Sequence, residues 1–317
     1  MRILITGGFG FIGGRLAQHL HQGGHDVLLG SRSTIASANW LPQAEVVQTD
    51  WCDGSALEQI CKGVDVVIHA AGMNAGDCAA DPVAAFECNG LFTARLVQAA
   101  ASVKVKRFTY ISTAHVYASP LVGIITEETC PRNLHPYATS HLAGENAVLS
   151  THGRGEIEGI VIRLSNAFGA PVHKDVNCWM LLVNDLCRQV VERGKMVLQT
   201  NGLQHRDFIA MSEVCRIIGH ISTCLFDFSE NPIINIGSGT SMSILEMGQL
   251  IQQRCAVILH SKPTLDRTKM GENEQYEMLE YRSNGLAKIG LSAISENGFE
   301  IDNLLRFCRK AFMDISK

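Results

Sequence analysis

Gly7, Gly10 and Gly13 form a G-x-x-G-x-x-G run near the start of the chain. The run follows the apolar stretch Arg2–Thr6 and opens the segment Phe11–Gln22, in which Ile12, Leu16 and Leu20 recur at helical spacing. Glycines so placed permit a tight turn and let backbone N–H groups and a helix dipole reach a pyrophosphate. The spacing predicts a dinucleotide site over Gly7, Gly10, Phe11, Ile12 and Gly13; the competing reading is a strand–helix turn without a ligand.

The next strand ends Leu29-Gly30-Ser31-Arg32-Ser33, with no carboxylate. An acidic side chain there would accept from the adenosine ribose and select NAD. Ser31 and Arg32 suit a 2′-phosphate, Arg by a forked, charge-assisted contact, so the expectation is NADP(H) over NAD(H). If Arg32 instead lies in solvent or stacks on adenine, the choice stays open. Asp50, in Asp50-Trp51 after a third short strand, suits the adenine amino group, or else caps a helix.

These residues need a scaffold, and the N-terminal half supplies the pattern of one. Short β-branched runs (Arg2–Thr6, His25–Leu29, Val46–Gln48, Val64–His69, Arg107–Ser112, Ile160–Arg163) alternate with helical stretches (Phe11–Gln22, Ala56–Lys62, Pro82–Ala101, Tyr137–Leu149). Such alternation predicts a parallel sheet covered on both faces. After residue 170 it loosens: Trp179–Glu192, Ser212–Leu225, Ser243–Gln253 and Ile301–Phe312 read as helices, and Pro232–Gly237 as a strand.

Composition narrows the function classes. The 317 residues are 46% hydrophobic and 18% charged, enough to bury a large core. Lys and Arg total 27 against 31 Asp and Glu, a net charge of −4, so bulk charge attracts neither nucleic acid nor anionic membrane. The first residues lack the long apolar stretch of a secretory signal, and no apolar run reaches the eighteen or so residues of a membrane span. The eleven cysteines are scattered without a CxxC pair; they read as structural thiols in a reducing cytoplasm, with no metal site expected.

Nine segments in order carry a resemblance: Thr6-Gly7 to Gly13, Asp50, His69-Ala70-Ala71-Gly72, Asn89-Gly90, Ser112–Tyr117, Tyr137–Glu145, Arg163–Gly169, Arg206-Asp207-Phe208 and Asn235–Gly239. Nearly the whole chain resembles the extended short-chain dehydrogenase/reductases, which include NAD(P)-dependent nucleotide-sugar epimerases, dehydratases and reductases. The resemblance implies a Rossmann-type doubly wound α/β fold with a smaller, interleaved C-terminal substrate domain. The cofactor domain is expected over 1–170 with about 207–237, and the substrate domain over 171–206 and 238–317. It also implies a nucleotide-sugar substrate and a homodimer built on the helices at Pro82–Ala101 and Tyr137–Leu149. Ala70, Ala71, Gly72 and Trp51 are expected to line the cofactor, with Asn89 either there or in a helix-interior polar contact.

In that family a Tyr is the acid/base, a Ser or Thr steadies the reacting hydroxyl, and a Lys follows the Tyr by four residues. Tyr137 and Thr113 match the first two; the third position is His141. A free Tyr has a pKa near 10, so a Tyr base at neutral pH needs help worth roughly 4 kcal/mol. His141 shares a helix face with Tyr137 and can donate to the nicotinamide ribose, but an ordinary imidazole is mostly neutral at about pH 7. Three readings stay open. His141 replaces Lys with lower or pH-dependent activity; His115, two strand residues beyond Thr113, shares the acid/base role; or the protein binds NAD(P) and has lost turnover. His115 otherwise donates to substrate or packs. The dehydratases' Asp-Glu pair after the Thr is here Ala114-His115, which disfavours elimination. Asn166, Arg206 and, more weakly, Arg267 match groups on the substrate diphosphate, surface ion pairs being the alternative for each Arg. Proton transfer at Tyr137 with hydride transfer at the nicotinamide fits a 4-epimerase or a 4-ketoreductase equally.

Overall fold

A computed structural model describes residues 1–33, 37–268, 277–294 and 296–313. Its first elements are β1 (Arg2–Thr6), α1 (Phe11–Gln22), β2 (Asp26–Ser31), β3 (Glu45–Gln48), α2 (Gly54–Cys61) and β4 (Val66–His69). The expected single helix at Pro82–Ala101 is interrupted. After α3 (Ala75–Ala80) come α4 (Pro82–Ala85), a π-helical segment, Phe86–Leu91, and α5 (Phe92–Ser102). Hydrophobic spacing does not report such a change of hydrogen-bond register.

Next come β5 (Arg107–Thr113), a 3₁₀ turn at Ala114–Val116, β6 (Gly123–Ile125), α6 (Pro136–Gly153), β7 (Glu158–Leu164) and β8 (Asn166–Phe168). The second half holds α7 (Leu182–Arg193), β9 (Lys195–Val197), β10 (His205–Ala210), α8 (Met211–Thr223) and β11 (Ile233–Ile236). It closes with β12 (Ser241–Ser243), α9 (Ile244–Ile258), β13 (Thr264–Asp266), β14 (Leu279–Tyr281), α10 (Asn284–Lys288) and α11 (Asn297–Phe312).

Seven strands form one parallel sheet in the order β11-β7-β5-β4-β1-β2-β3. β4 and β5 are buried along their whole length, as strands covered on both faces must be. Alternation along β1 sends Ile3 and Ile5 to one face, against Leu16 and Leu20 of α1 and Ile217, Ile218 and Ile221 of α8. Leu4 faces the other way, with Val67, Phe108 and Val161, onto Leu57 of α2 and Leu96 and Val97 of α5. Leu16 is fully buried, so its truncation to Ala would cost about 2–5 kcal/mol.

Strand order reverses beside β1, where β2 pairs on one side and β4 on the other. This switch point opens a crevice at the strands' carboxyl ends. A separate apolar cluster unites Phe168, Leu186, Phe208, Met247, Leu304 and Leu305 from β8, α7, β10, α9 and α11. β10 joins β8 in parallel and β12 in antiparallel fashion. No helix among the described residues is long and apolar enough to cross a membrane.

Candidate active site

The glycine turn lies at the switch point. Gly7 has φ +69, and a Cβ there would come 2.6 Å from Ala71 N and 2.7 Å from Ala70 O. A Cβ on Gly13 would sit 2.3 Å from Gly7 O. Both positions therefore require glycine, and the turn after β1 touches the Ala70-Ala71 backbone after β4. Helix α1 begins at Gly10 with no side-chain cap and no acidic residue in its first turn. Among the described residues no group accepts from the first-turn N–H groups of Phe11, Ile12 and Gly13, which leaves them to an external acceptor, and the positive dipole end favours an anion. These features fit a dinucleotide pyrophosphate.

The rim of this groove differs in part from the sequence expectations. Ser31 Oγ accepts from Ser33 N at 3.2 Å within its own loop, and Arg32 is exposed, with no carboxylate within 4 Å among the described residues. Asp50 does not cap α2; Asp53 does, accepting from Ser55 N and Ala56 N. Asp50 Oδ1 instead accepts from Cys52 N at 3.0 Å. The Trp51 ring is buried and stacks on Phe92 at 5.5 Å, so it serves the core while its carbonyl accepts from Arg95.

Asn89 is fully buried within the π-helical segment. Its Oδ1 accepts from Met73 N at 2.8 Å and its Nδ2 donates to Ser140 Oγ at 3.0 Å. That is the polar-contact reading: Asn89 ties the loop after β4 to α6, and its side-chain groups are used within the protein.

Tyr137 and His141 lie one turn apart on α6, and their rings meet edge to face at 4.7 Å. Thr113 closes β5 beside them. Burial pushes the half-buried Tyr137 phenol above its ordinary range, and the Thr113 hydroxyl works against that rise. His141 is buried, which pushes its pKa down to about 4. A neutral imidazole thus stands where the resemblance places an ammonium. Its Cε1–Nε2 edge faces exposed Gly72, the two atoms 3.6 and 3.8 Å from where a Cβ on that residue would be.

Behind His141 lies a polar cluster that the sequence reading missed. Tyr110 OH lies 2.8 Å from His141 Nδ1, and its ring stacks on both His141 and His69. His69 Nδ1 is 2.6 Å from Thr6 Oγ1, its Nε2 is 3.0 Å from Thr93 Oγ1, and Thr93 donates to Asn89 O at 2.7 Å. A Tyr in mid-strand facing a helix was the available signal, because a buried phenol needs a partner. One turn further along α6, Glu145 is fully buried and takes Arg163 on both oxygens.

His115 lies in the 3₁₀ turn, not on the strand, because Thr113 Oγ1 accepts from His115 N and ends β5 there. The expected shared strand face is absent. Burial first, then Arg206 and His135, lower the His115 pKa, while a hydrogen bond with Asn166 raises it. His115 therefore groups with Asn166 and Arg206, two of the three candidates for the substrate diphosphate. Asn166 Nδ2 is also held on Asp207 O at 2.9 Å.

Burial lowers the Arg206 pKa, and among the described residues its side-chain hydrogen bond goes to Gln204 Oε1 at 3.2 Å, with no carboxylate. A largely buried guanidinium without a counter-ion is a ready anion site. Arg267 is exposed and donates to Asn201 O at 3.0 Å. Neither arginine forms the competing surface ion pair among the described residues.

Comparison with known proteins agrees with this geometry. The model of the NAD dependent epimerase/dehydratase family matches residues 3–237. A dTDP-glucose 4,6-dehydratase of Streptomyces niveus is 27% identical, over 80% of this chain and 78% of its own length. A putative UDP-glucose 4-epimerase of Methanocaldococcus jannaschii is 26% identical, over 85% of this chain and 87% of its own. Among solved structures, the UDP-glucuronic acid 4-epimerase from Bacillus cereus in complex with NAD is similar at a TM-score of 0.81 and 21% identity, covering 99% and 98% of the two chains. MoeE5 in complex with UDP-glucose and NAD gives 0.78 and 22%, over 98% and 99%. With the glycine turn at the switch point and the Tyr137 helix beside it, the chain belongs to the NAD dependent epimerase/dehydratase family.

Proposed function

We propose that the protein transfers hydride at a carbon of a nucleotide-activated sugar, as a 4-ketoreductase or 4-epimerase. The observation that carries the reading is Tyr137 packed on His141 beside Thr113, at the mouth of the glycine-turn crevice. The nicotinamide supplies or accepts the hydride when bound. The chain's own residues do the rest. Tyr137 gives a proton to, or takes one from, the sugar oxygen, and Thr113 holds that oxygen. Arg206, Asn166 and His115 grip the diphosphate end.

A neutral His141 leaves Tyr137 mainly a phenol, which is the acid a ketone reduction needs. The carboxylate-free Ala114-His115 pair speaks against elimination of water. Exposed Arg32 and the absence of a carboxylate at the end of β2 support NADP(H) over NAD(H).

Residues 1–170 with about 207–237 form the cofactor domain, and 171–206 with 238–317 the substrate domain. The part-exposed Val83, Phe86 and Leu91 beside α5 support a homodimer through the α5 and α6 helices. Eleven free cysteines suit a reducing cytoplasm.

Titration with NADP(H) and NAD(H), followed by turnover of UDP- and dTDP-linked sugars and 4-keto sugars, tests the reading. Preference for exchangeable NADPH with ketosugar reduction supports it. Retained, non-exchanging NAD with epimerisation selects the other branch, and failure to bind either dinucleotide refutes it.

A second reading, a dinucleotide-binding protein without turnover, draws on the neutral imidazole at position 141. His141→Lys separates the two. A large gain in turnover marks a weakened enzyme, and turnover that stays at zero marks a binder.

A further inference from the structure

The hydrogen-bond donors behind His141 can be assigned one at a time. Thr93 spends its only hydroxyl hydrogen on Asn89 O, so the His69 Nε2–Thr93 Oγ1 contact requires His69 to donate from Nε2. His69 Nδ1 then accepts from Thr6. The same Asn89 carbonyl, already taken by Thr93, is 3.4 Å from Tyr110 OH, against 2.8 Å from that hydroxyl to His141 Nδ1. That carbonyl has a second lone pair and can accept from Tyr110 at the longer distance, but the 2.8 Å contact is the better place for the tyrosine hydrogen. With that hydrogen on Nδ1, the His141 proton sits on Nε2, which with Cε1 forms the ring edge beside Gly72.

We infer that Tyr110 is a positioning residue: it donates to His141 Nδ1, fixes the Nε2–H tautomer, and aims that N–H into the groove as the donor to a ribose hydroxyl of the bound dinucleotide. The inference rests on the functional reading above. Lysine needs no such brace, because an ammonium carries three donors that rotate freely, whereas a neutral imidazole has one, and its tautomer decides where it points. Tyr110 is itself held, stacked on His69 and His141 and almost wholly buried. The titratable groups around this cluster are His69 of β4, Tyr110 of β5, Tyr137 and Glu145 of α6, Cys78 of α3 and Cys88 of the π-helical segment. Glu145 is paired with Arg163, and burial raises the phenols and the thiols and lowers both imidazoles.

Two measurements test the proposal. The first is long-range ¹H–¹⁵N correlation of imidazole-labelled protein without nucleotide. His141 is expected as a bare Nδ1 and a protonated Nε2, unchanged from about pH 8 to pH 5.5. A protonated Nδ1, or signals in Tyr110→Phe identical to those of the native chain, overturns the proposal.

The second measurement is a double-mutant cycle on NADPH and NADH affinity. Tyr110→Phe is expected to weaken binding by about tenfold in the native background and by less than about twofold in His141→Lys. Equal losses in both backgrounds would mean that Tyr110 only supports the fold, and the proposal falls. Should the native chain bind neither dinucleotide, the functional reading and the ribose contact fall together, while the spectra still decide whether Tyr110 sets the tautomer.

Discussion

The Tyr137 ring meets the His141 ring edge to face, with centroids 4.7 Å apart and planes at 72°. The phenol thus has an uncharged neighbour where a cation would favour its ionised form. In the alcohol-oxidising direction the base must be the phenolate, so kcat/KM is expected to climb with pH and show no plateau near neutrality. In the ketone-reducing direction the phenol is the acid, and the profile is expected to stay flat from about pH 6 to pH 9. His141→Lys should move the oxidative limb to lower pH. Rate profiles in both directions check this, and an oxidative plateau below about pH 8 in the native chain would contradict it.

Tyr137→Phe removes the proton donor and keeps the ring. Turnover is expected to fall by about 10²–10⁴-fold, with dinucleotide affinity changed only a few-fold. Single-turnover rates and fluorescence titration separate the two effects; a variant retaining more than a tenth of native turnover would take Tyr137 out of the chemistry.

Arg206→Ala should act on substrate. Loss of charge-assisted hydrogen bonds to a diphosphate is worth about 1.5–3 kcal/mol, a rise of roughly 10- to 150-fold in KM, with kcat changing far less. An unchanged KM for the nucleotide sugar would place the diphosphate elsewhere.

Acid should weaken the fold through its buried imidazoles. His141 and His69 are held neutral in the folded chain, with pKa pushed down to about 4 and about 3. In the unfolded chain both protonate near pH 6.5. Their contribution is therefore complete above that pH and is lost as pH falls from 6.5 towards the folded values. Each costs about 2 kcal/mol by pH 5. Thermal melts at pH 7 and pH 5 should show a lower Tm at pH 5, and a smaller drop in His69→Gln. Equal Tm values would refute the assignment.

Glu145→Ala leaves the Arg163 guanidinium buried without its carboxylate. A loss of about 3–5 kcal/mol in denaturant unfolding is expected, and Glu145→Gln should fare better by keeping one acceptor oxygen, in the place of the Oε1 that Ser112 and Arg163 Nε share. A loss below about 1 kcal/mol would mean that the pair is not buried in solution.

The central strands were readable because parallel β-strands buried on both faces need unbroken β-branched runs, as in Val66, Val67 and Ile68. The glycine turn was readable because backbone contact with Ala70 and Ala71 tolerates no Cβ. Tyr110, His69 and Thr93 were not, since their pairing joins β4, β5 and α5 through space. The π-helical stretch around Asn89 was hidden because its spacing of apolar residues is that of an ordinary helix. The position of His115 turned on whether Thr113 would cap the next turn, a local hydrogen bond that strand alternation does not foresee. The three-residue strands β6, β8, β9, β12, β13 and β14 carry too few residues to show any period.

The large sheet takes its outermost strand, β11, from Ile233–Ile236, and α8, from Met211–Thr223, covers one of its faces. Emerging from the ribosome N-terminus first, the chain cannot complete its large sheet until Ile236 has been made. The early strands must wait with Ile160 and Ile162 uncovered, exposed to aggregation during synthesis. Pairings this distant in sequence also make closure slow, because loop entropy is spent before the contacts that repay it. A nascent chain stalled before α8 thus keeps Ile160 and Ile162 open to solvent, and one stalled after β11 has all seven strands of the sheet to pair.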